Sequence, residues 1–279
     1  MKSSDWRGET GGDARFTMAE TARAADATPS VAPRIVSASN GVTIARRAFV
    51  SAALTIGLFG LSSRLSLAQD EGLFAIKGDN GQTIANFRLP AELAGDDLPG
   101  TVWVGSSTPE AILTEYFDDN CPYCRAAAPH FSALLKSDPV LKLGLVNNPV
   151  FGRASVQVAS VQQAVLKTHG PEKTYAFHER MLGTPGPATA ASAFRAAADL
   201  GLDTAAISAT AAEPLIADVV EAQAQRARDL GFAVTPAFAI DGYGVLGYPG
   251  PRTMAAIVEA VQRCDELRCP PAVLSRSKP

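Results

Sequence analysis

The chain has 279 residues, of which 47% are hydrophobic and 19% charged, a composition that excludes disorder of the whole chain and allows one large domain or two small ones. Its formal net charge is −3 at neutral pH, and its 25 basic residues are scattered instead of forming a stripe. This distribution argues against a nucleic-acid binder, so we expect no nucleic-acid partner.

The first part of the chain has the composition of a leader. Residues 1–44 are rich in Ala, Ser, Thr, Gly and Asp and have no sustained apolar period. The paired Arg46 and Arg47 then precede an apolar run, Ala48–Leu61. This run is shorter than the roughly 20 residues that a membrane-spanning helix needs. We therefore predict a cleaved export signal, with a permanent membrane anchor as the alternative.

Small residues at Ser66-Leu67-Ala68 provide the expected cleavage site of this signal. The paired arginines resemble a twin-arginine signal, and a general secretory signal is the alternative. We predict a leader and cleavable signal over 1–68, cut near Ala68, and a periplasmic location. All four cysteines follow this site, and an even number can pair completely in an oxidising compartment.

The first elements after the signal are short. Residues 69–100 mix Gly, Asp and Pro with short apolar pieces, which indicates an N-terminal arm or hairpin lying against the domain. A β-rich run, Thr101–Val104, is predicted to be a strand. The apolar run Ala111–Phe117 is predicted to be a strand buried on both faces.

A helix is predicted directly after the second strand. Pro122 suits its first turn, since the backbone N–H that proline lacks has no partner there. Residues 125–135 place Ala and Leu at helical spacing, and Pro129 is expected to kink this helix. The run Leu141–Val146 then returns as a strand before a turn at Asn147.

The middle of the chain changes to a helical pattern. Residues 154–230 have apolar spacing of 3.6 residues, interrupted near Gly170-Pro171, and we predict three to five helices there. Two strands should follow, Phe232–Ile240 and Tyr243–Leu246, joined by an Asp-Gly hairpin turn. The amphipathic stretch Thr253–Cys264 predicts a closing helix.

The motif Cys121-Pro122-Tyr123-Cys124 lies where a buried strand meets a helix N-terminus. This position places the first sulfur among unpaired backbone N–H groups and at the positive end of the helix dipole, which favour the thiolate. Because the thiolate is the nucleophile, we predict that Cys121 attacks and Cys124 resolves the mixed disulfide. The alternatives are a structural zinc pair, completed by Cys264 and Cys269 at unfavourable spacing, and an inert disulfide.

The residues around this motif resemble the DsbA-like branch of the thioredoxin superfamily. Phe117–Arg125 is similar to the active-site segment, Pro129 to the helix-kinking proline and Val234–Phe238 to the cis-proline segment of periplasmic members. The resemblance implies an α/β, thioredoxin-like fold with an inserted all-helical domain. We accordingly divide the chain after the arm into 101–153 and 231–279 as the two thioredoxin-like parts, with 154–230 as the helical insertion.

Three residues outside the motif receive roles from this resemblance. Glu115 occupies the place of a buried acid beneath the disulfide, where a carboxyl of raised pKa exchanges a proton with Cys124. The alternative is a strand residue facing solvent. Pro236 is expected to be cis, which leaves Thr235 able to bind an extended substrate through its backbone. The alternative is an ordinary edge-strand proline.

The remaining candidate residues are one active-site tyrosine, the histidines and the last cysteines. Tyr123 stands where the most oxidising members have His, so their extreme oxidant character is not assumed. Three dispersed histidines form no triad or metal site, and we assign no role to His130, His169 and His178. Cys264 and Cys269 are expected to form a structural disulfide, with unpaired thiols as the alternative. We expect no metal and no cofactor.

The sequence therefore predicts an exported thiol-disulfide oxidoreductase that exchanges disulfides with cysteine-containing exported proteins. An oxidase that depends on a quinone-linked membrane partner is the first hypothesis. The alternatives are an isomerase or reductase kept reduced by a membrane thiol reductase, and a peptide-binding chaperone without redox turnover. The oligomeric state stays open, because residues 69–100 could form a dimerising or trimerising arm.

Overall fold

The computed structural model describes residues 72–93, 95 and 98–271, and the predicted leader and export signal lie outside them. The chain first forms three strands, β1 (Asn86–Arg88), β2 (Val102–Gly105) and β3 (Ala111–Phe117). They are followed by α1 (Pro122–Ser137) and β4 (Leu141–Asn147). Four helices come next, α2 (Arg153–Gly183), α3 (Ala190–Asp199), α4 (Thr204–Ala211) and α5 (Pro214–Asp229). The last elements are β5 (Ala237–Ile240), β6 (Tyr243–Leu246) and α6 (Pro251–Cys264).

The strands form one mixed sheet in the order β1-β6-β5-β3-β4-β2. Strands β3 and β4 are parallel and are joined by α1, whereas β5 runs antiparallel to β3 and places Phe238 opposite Glu115. Helices α2 to α5 lie between β4 and β5 in the sequence, so an all-helical segment interrupts a sheet-based domain. Apart from β1, this is the order of elements that the sequence predicts.

Strand β3 occupies the centre of the sheet because both of its faces are apolar. Leu113 and Phe117 belong to a core that includes Phe131 of α1 and Ile257 of α6. On the opposite face, Tyr116 packs edge-on against Phe232 at a centroid distance of 5.0 Å. Burial on both faces explains why this strand carries a continuous apolar run instead of an alternating pattern.

The helical segment has an apolar core of its own, which includes Val158, Phe177, Ala193 and Ile207. Buried amides connect this segment to the sheet: the Gln223 Oε1 atom accepts a hydrogen bond from the Asn147 backbone N–H at 2.9 Å, and the Gln163 side chain donates to Asn147 Oδ1 at 2.9 Å. Because buried polar groups need partners, these bonds fix how the helices sit on the end of β4.

Helix α2 contains the break that the sequence predicts near Gly170-Pro171. Gly170 has φ of 80° and ψ of 176°, outside the helical region, so α2 consists of two helices joined at this residue. Pro171 then occupies the first turn of the second half, where its missing N–H leaves no hydrogen bond unmade.

The predicted strand Phe232–Ile240 is wrong in its first half, because β5 begins only at Ala237. The preceding residues instead complete the end of α5: Gly231 has φ of 75°, and the Phe232 backbone N–H donates to the Ala227 carbonyl at 2.8 Å. This is the pattern of a Schellman motif, in which a glycine ends a helix and a hydrophobic residue follows it.

The segment predicted as an arm or hairpin also contributes to the main sheet. Lys77 and Thr83 form an isolated antiparallel bridge, and Asn86–Arg88 then pairs with β6 as an edge strand. None of the helices in the described ranges is long and apolar enough to cross a membrane.

Candidate active site

Cys121 is held at the N-terminus of α1 by the loop that leaves β3. It is the N-cap residue, with φ of −77° and ψ of 122°, and its backbone N–H donates to the Asp118 carbonyl at 2.9 Å. Pro122 follows at the first position of the helix. The sequence predicts this placement, which aims the sulfur at the positive end of the helix.

The Cys121 sulfur lies in a setting that favours the thiolate. Cys121 and Cys124 are free thiols. The pKa of Cys121 is lowered to about 6, and the largest cause is a hydrogen bond from the Cys124 thiol. Burial opposes this shift, whereas the Thr235 side chain and the backbone amides of Tyr123 and Cys124 support it. As a thiol, Cys121 donates to the Thr235 carbonyl at 3.1 Å.

Cys124 is buried one turn further along α1, and its surroundings favour the neutral thiol. Burial is the main cause that raises its pKa far above the ordinary range, followed by the hydrogen bond to Cys121 and the negative charge of Glu115. A cysteine in this position reacts only if a neighbouring base removes its proton. The two sulfurs of the motif are therefore chemically different.

Glu115 is the carboxyl group whose charge acts on Cys124. It is completely buried in the centre of β3, and neither carboxyl oxygen has a hydrogen-bond partner in the described part of the chain. Burial, followed by repulsion from Cys121 and Asp119, raises its pKa to about 8. The alternative of a strand residue facing solvent is wrong.

A second buried carboxyl, Asp119, lies in the same loop and was not singled out from the sequence. Its Oδ1 atom has no hydrogen-bond partner among the described residues. Burial and the neighbouring Asp118 raise its pKa to about 7, while Arg125 opposes this shift. Glu115 and Asp119 therefore repel one another when both are ionised.

The loop before Cys121 is attached to the helical segment by polar side chains that sequence reasoning missed. Asp118 accepts hydrogen bonds from the Ser155 hydroxyl at 2.7 Å and from the Phe151 backbone at 2.9 Å. Asn120 exchanges two hydrogen bonds with the backbone of Ala188. The run Asp118-Asp119-Asn120 before the motif is the one signal in the sequence for this network.

On the other side of Cys121 is the segment that contains Thr235 and Pro236. The Thr235–Pro236 bond is cis, and the Pro236 carbonyl accepts a hydrogen bond from the Gly247 backbone at 3.0 Å. The Oγ1 atom of Thr235 is buried without a partner in the described chain. The sequence-predicted residues Cys121, Thr235 and Pro236 are thus brought together although 114 residues separate Cys121 from Thr235.

Three exposed apolar side chains belong to the segments that form this site. Tyr123 is 68% exposed, and Val234, next to Thr235 in the chain, is 48% exposed. Phe151, whose backbone binds Asp118, is 54% exposed. Exposed apolar side chains that form one contiguous patch are typical of surfaces that bind other proteins.

The last two cysteines lie away from this site. Cys264 and Cys269 form a disulfide at the end of α6 and leave only Cys121 and Cys124 free. No cluster of three His, Cys, Asp or Glu side chains able to hold a metal occurs in the ranges that the structure describes. The zinc alternative therefore has no ligand set there.

The three histidines have different surroundings. His178 is buried edge-on against Phe117, and burial lowers its pKa to about 3. His169 contacts the Thr168 hydroxyl at 2.6 Å on the surface of α2. His130 is exposed on α1 and its Nδ1 atom lies 2.8 Å from the Tyr248 hydroxyl.

Two free cysteines at a helix N-terminus, one of lowered and one of raised pKa, with a buried carboxyl and a cis-proline in the same part of the fold, are the features of a thiol-disulfide oxidoreductase of thioredoxin-like fold. Residues 97–261 match the protein-family model described as Thioredoxin. The chain therefore belongs to the thioredoxin family. A search of the curated proteins found no match.

Solved structures have the same fold. A thioredoxin-like oxidoreductase from Silicibacter pomeroyi is 27% identical, with a TM-score of 0.56 over 63% of this chain and 98% of that chain. The thiol-disulfide exchange protein alpha-DsbA2 from Wolbachia pipientis is 21% identical, with a TM-score of 0.53 over 57% and 86%. BdbD from Bacillus subtilis is 16% identical, with a TM-score of 0.54 over 63% and 96%. The predicted fold class is confirmed.

Proposed function

We propose that the chain is an exported disulfide oxidase that accepts electrons from cysteine pairs of other exported proteins. The observation that carries this proposal is the stabilised thiolate of Cys121, whose pKa is lowered to about 6 mainly by the Cys124 thiol. A stabilised thiolate lowers the free energy of the reduced enzyme, which shifts the Cys121–Cys124 pair towards oxidising its substrates.

The reaction has two exchange steps. A substrate thiolate attacks Sγ of Cys121, the Cys121–Cys124 bond breaks, and Cys124 leaves and takes up a proton. A second substrate thiolate then attacks the substrate sulfur of the mixed disulfide, and Cys121 leaves as the stabilised thiolate. The substrate gains one disulfide, and the enzyme is left as a dithiol.

The reduction potential of the Cys121–Cys124 pair tests the direction of this reaction. Equilibration with glutathione buffers should give a value closer to roughly −120 mV, typical of a strong oxidant, than to roughly −270 mV, typical of a reductant. A value at the reducing end would replace the oxidase with the isomerase or reductase alternative.

Refolding of a reduced, denatured protein tests whether redox turnover is needed at all. The wild-type protein should restore disulfides in that substrate, whereas Cys121→Ala should not. Equal recovery with both proteins would instead indicate a peptide-binding chaperone, in which the apolar surface around Tyr123 and Val234 alone is used.

Export is the part of the proposal that depends on residues outside the described structure. The paired Arg46 and Arg47, the apolar run and the small residues before Gln69 support a twin-arginine signal over 1–68. Replacing both arginines with lysine should keep the protein in the cytoplasm. N-terminal sequencing of the exported wild type should begin near Gln69, and a membrane-retained full-length chain would contradict cleavage.

The oxidase also needs a partner that removes its electrons. We propose a quinone-linked membrane oxidase as this partner, and exported proteins with cysteine pairs as substrates. The exposed Tyr123, Val234 and Phe151 are the surface on which unfolded substrates would dock. Val234→Asn should weaken substrate adducts without changing the potential of the cysteine pair, because it removes an exposed apolar side chain, adds no charge and leaves both sulfurs in place.

A further inference from the structure

An open groove runs along α6, and none of the residues that line it belongs to the site around Cys121. Its volume is about 650 Å³, a size typical of small-molecule sites. Three segments form it: residues 75–79, one face of α6, and the loop 267–269, which is tied back by the Cys264–Cys269 disulfide. The groove is therefore a separate feature of the fold from the catalytic cysteines.

The floor of this groove is apolar. Ile76, Ile257 and Leu267 are buried members of the main core, and all three line the groove. Ala256 and Ala260 line it from α6, and their short side chains leave room between residues 75–79 and the loop. Burial of an alkyl chain on this floor is favourable, because it removes apolar surface from water.

The walls of the groove carry positive charge, although the chain as a whole has a formal net charge of −3. Four of the lining residues are basic and one is acidic: Lys77, Arg252, Arg263, Arg268 and Asp79. Two of the arginines, Arg252 and Arg263, have a carboxylate within 3.5 Å. Lys77 instead donates to the Thr83 hydroxyl at 2.5 Å, and Arg268 donates to the Ala75 carbonyl at 3.1 Å. Neither of these two cations has an acidic partner in the described chain.

The acidic residue of the groove is used by α6. Asp79 accepts hydrogen bonds from the Thr253 hydroxyl at 2.7 Å and from the backbone N–H groups of Arg252 and Thr253 at 3.0 Å. These N–H groups belong to the first turn of the helix, where backbone donors have no partner within the helix. Asp79 therefore caps α6, and the groove keeps an excess of positive charge.

The backbone groups at the groove are also donors. Lys77 and Thr83 form an isolated antiparallel bridge whose two hydrogen bonds are made by their neighbours, so the Lys77 N–H and carbonyl point away from Thr83. The Lys77 carbonyl accepts from the Thr253 hydroxyl at 3.2 Å, and the Ala75 carbonyl accepts from Arg268. The Lys77 N–H has no acceptor among the described residues. The polar groups left for a ligand are therefore donors.

We propose that this groove binds an anionic amphiphile, a single alkyl chain that ends in a carboxylate. The carboxylate accepts hydrogen bonds from the Lys77 ammonium and backbone N–H and from the Arg268 guanidinium. The alkyl chain lies along Ile257 and Ala260. A peptide segment fits less well, because its own N–H groups need acceptors and the carbonyls at the groove are already used. The inference goes beyond the proposed function and does not depend on it.

Calorimetric titration of the purified protein with decanoate, below the concentration at which decanoate forms micelles, tests the site. Decanol has the same chain without the charge, and acetate has the carboxylate without the chain. We expect decanoate to bind with one site per chain. Decanol and acetate should each bind at least roughly tenfold more weakly, because each lacks one of the two groups that the groove recognises.

Lys77→Gln and Arg268→Gln should each raise the Kd for decanoate by roughly tenfold, since each removes a charged donor to the carboxylate. Arg195→Gln is the matched control, because it removes the same charge from an exposed position on α3, outside the groove, and should leave the Kd unchanged. All three variants should refold a reduced substrate as the wild type does, because Cys121 and Cys124 are intact.

Several results would overturn the amphiphile site. They are decanol or acetate binding as tightly as decanoate, an unchanged Kd in both groove variants, an equal loss in Arg195→Gln, or no binding at one site per chain. Displacement of decanoate by a tighter-binding hexaglutamate peptide would replace it with a site for an acidic protein segment. Failure of the wild-type refolding assay while decanoate still binds would instead remove the proposed function and leave this site in place.

Discussion

Asn120 and Ala188 exchange two hydrogen bonds that attach the active-site loop to the helical segment. The Asn120 amide donates to the Ala188 carbonyl at 3.0 Å, and the Ala188 backbone N–H donates to Asn120 Oδ1 at 2.8 Å. The same amide also donates to the Ser155 hydroxyl at 3.0 Å. One side chain next to Cys121 in the sequence therefore holds two parts of the fold together.

Asn120→Ala should lower the free energy of unfolding by about 1–3 kcal/mol, because it leaves the backbone groups of Ala188 without their partners. Urea unfolding of the reduced proteins measures this change. Asn120→Asp is the matched variant. Its carboxylate still accepts a hydrogen bond from the Ala188 N–H, but the variant has no amide to donate to the Ala188 carbonyl. Equal stability of wild type and Asn120→Ala would contradict the attachment.

Thr235→Val should raise the pKa of Cys121 by roughly 1 to 2, because the variant keeps the shape of threonine but removes a hydrogen bond to a charged sulfur. The Thr235 side chain is one of the groups that lower this pKa. Its hydroxyl makes no hydrogen bond in the described chain while Cys121 is a thiol, so it is left to donate to the thiolate. Ultraviolet absorbance of the thiolate against pH measures the shift. Thr235→Ser should keep the wild-type pKa of Cys121. An unchanged pKa in Thr235→Val would show that the hydroxyl does not stabilise the thiolate.

Cys124→Ser should accumulate mixed disulfides between Cys121 and substrate proteins, because no second sulfur remains to release them. Non-reducing gels of periplasmic extracts should show these adducts, and a reductant should remove them. Serine is chosen because the Cys124 side chain is the first of the groups that lower the pKa of Cys121. Cys124→Ala should give a higher Cys121 pKa than Cys124→Ser, and a reactive Cys121 without adducts would argue against the mechanism.

Glu115→Gln should make the stability of the reduced protein less dependent on pH. The pKa of Glu115 is raised from 4.5 to about 8 on folding, so between these values the unfolded chain loses its proton while the folded chain keeps it. The contribution of Glu115 to the free energy of unfolding is therefore fully present below about pH 4.5. It falls by an amount on the order of several kcal/mol as the pH rises to about 8.

Urea unfolding at several pH values checks this expectation. The wild type should lose more stability than Glu115→Gln between pH 5 and 8. His178 has the opposite effect, since burial lowers its pKa to about 3 and stability from it is lost as pH falls. Parallel curves for wild type and Glu115→Gln would mean that Glu115 is ionised in the folded protein.

The central features of the fold and site could be predicted from local sequence because their signals are local. The run Ala111–Phe117 has the bounds of β3, since apolar residues on both faces leave no ambiguity about the strand. The motif at Cys121 and the proline at Pro236 identify the two sides of the site. Their proximity in the fold, however, was implied by family resemblance and not by local pattern.

The parts that sequence analysis missed depend on contacts between distant residues. Phe232 looks like the start of a strand, but its backbone completes the end of α5. Asn86–Arg88 looks like part of an arm, but pairing with β6 makes it a sheet edge. The raised pKa of Asp119 comes mainly from its burial. The contact between His130 and Tyr248 joins residues more than a hundred positions apart in the sequence.

The disulfide at the end of α6 also affects how the cysteines pair as the protein folds. Cys264 and Cys269 are 5 residues apart, whereas Cys124 precedes Cys264 by 140 residues. The entropy of loop closure favours the shorter ring by about 3 kcal/mol, so each cysteine of an unfolded chain meets its native neighbour far more often than a distant one. Scrambled pairing is therefore disfavoured before any tertiary structure forms, and the catalytic dithiol reaches the folded state unblocked by the C-terminal pair.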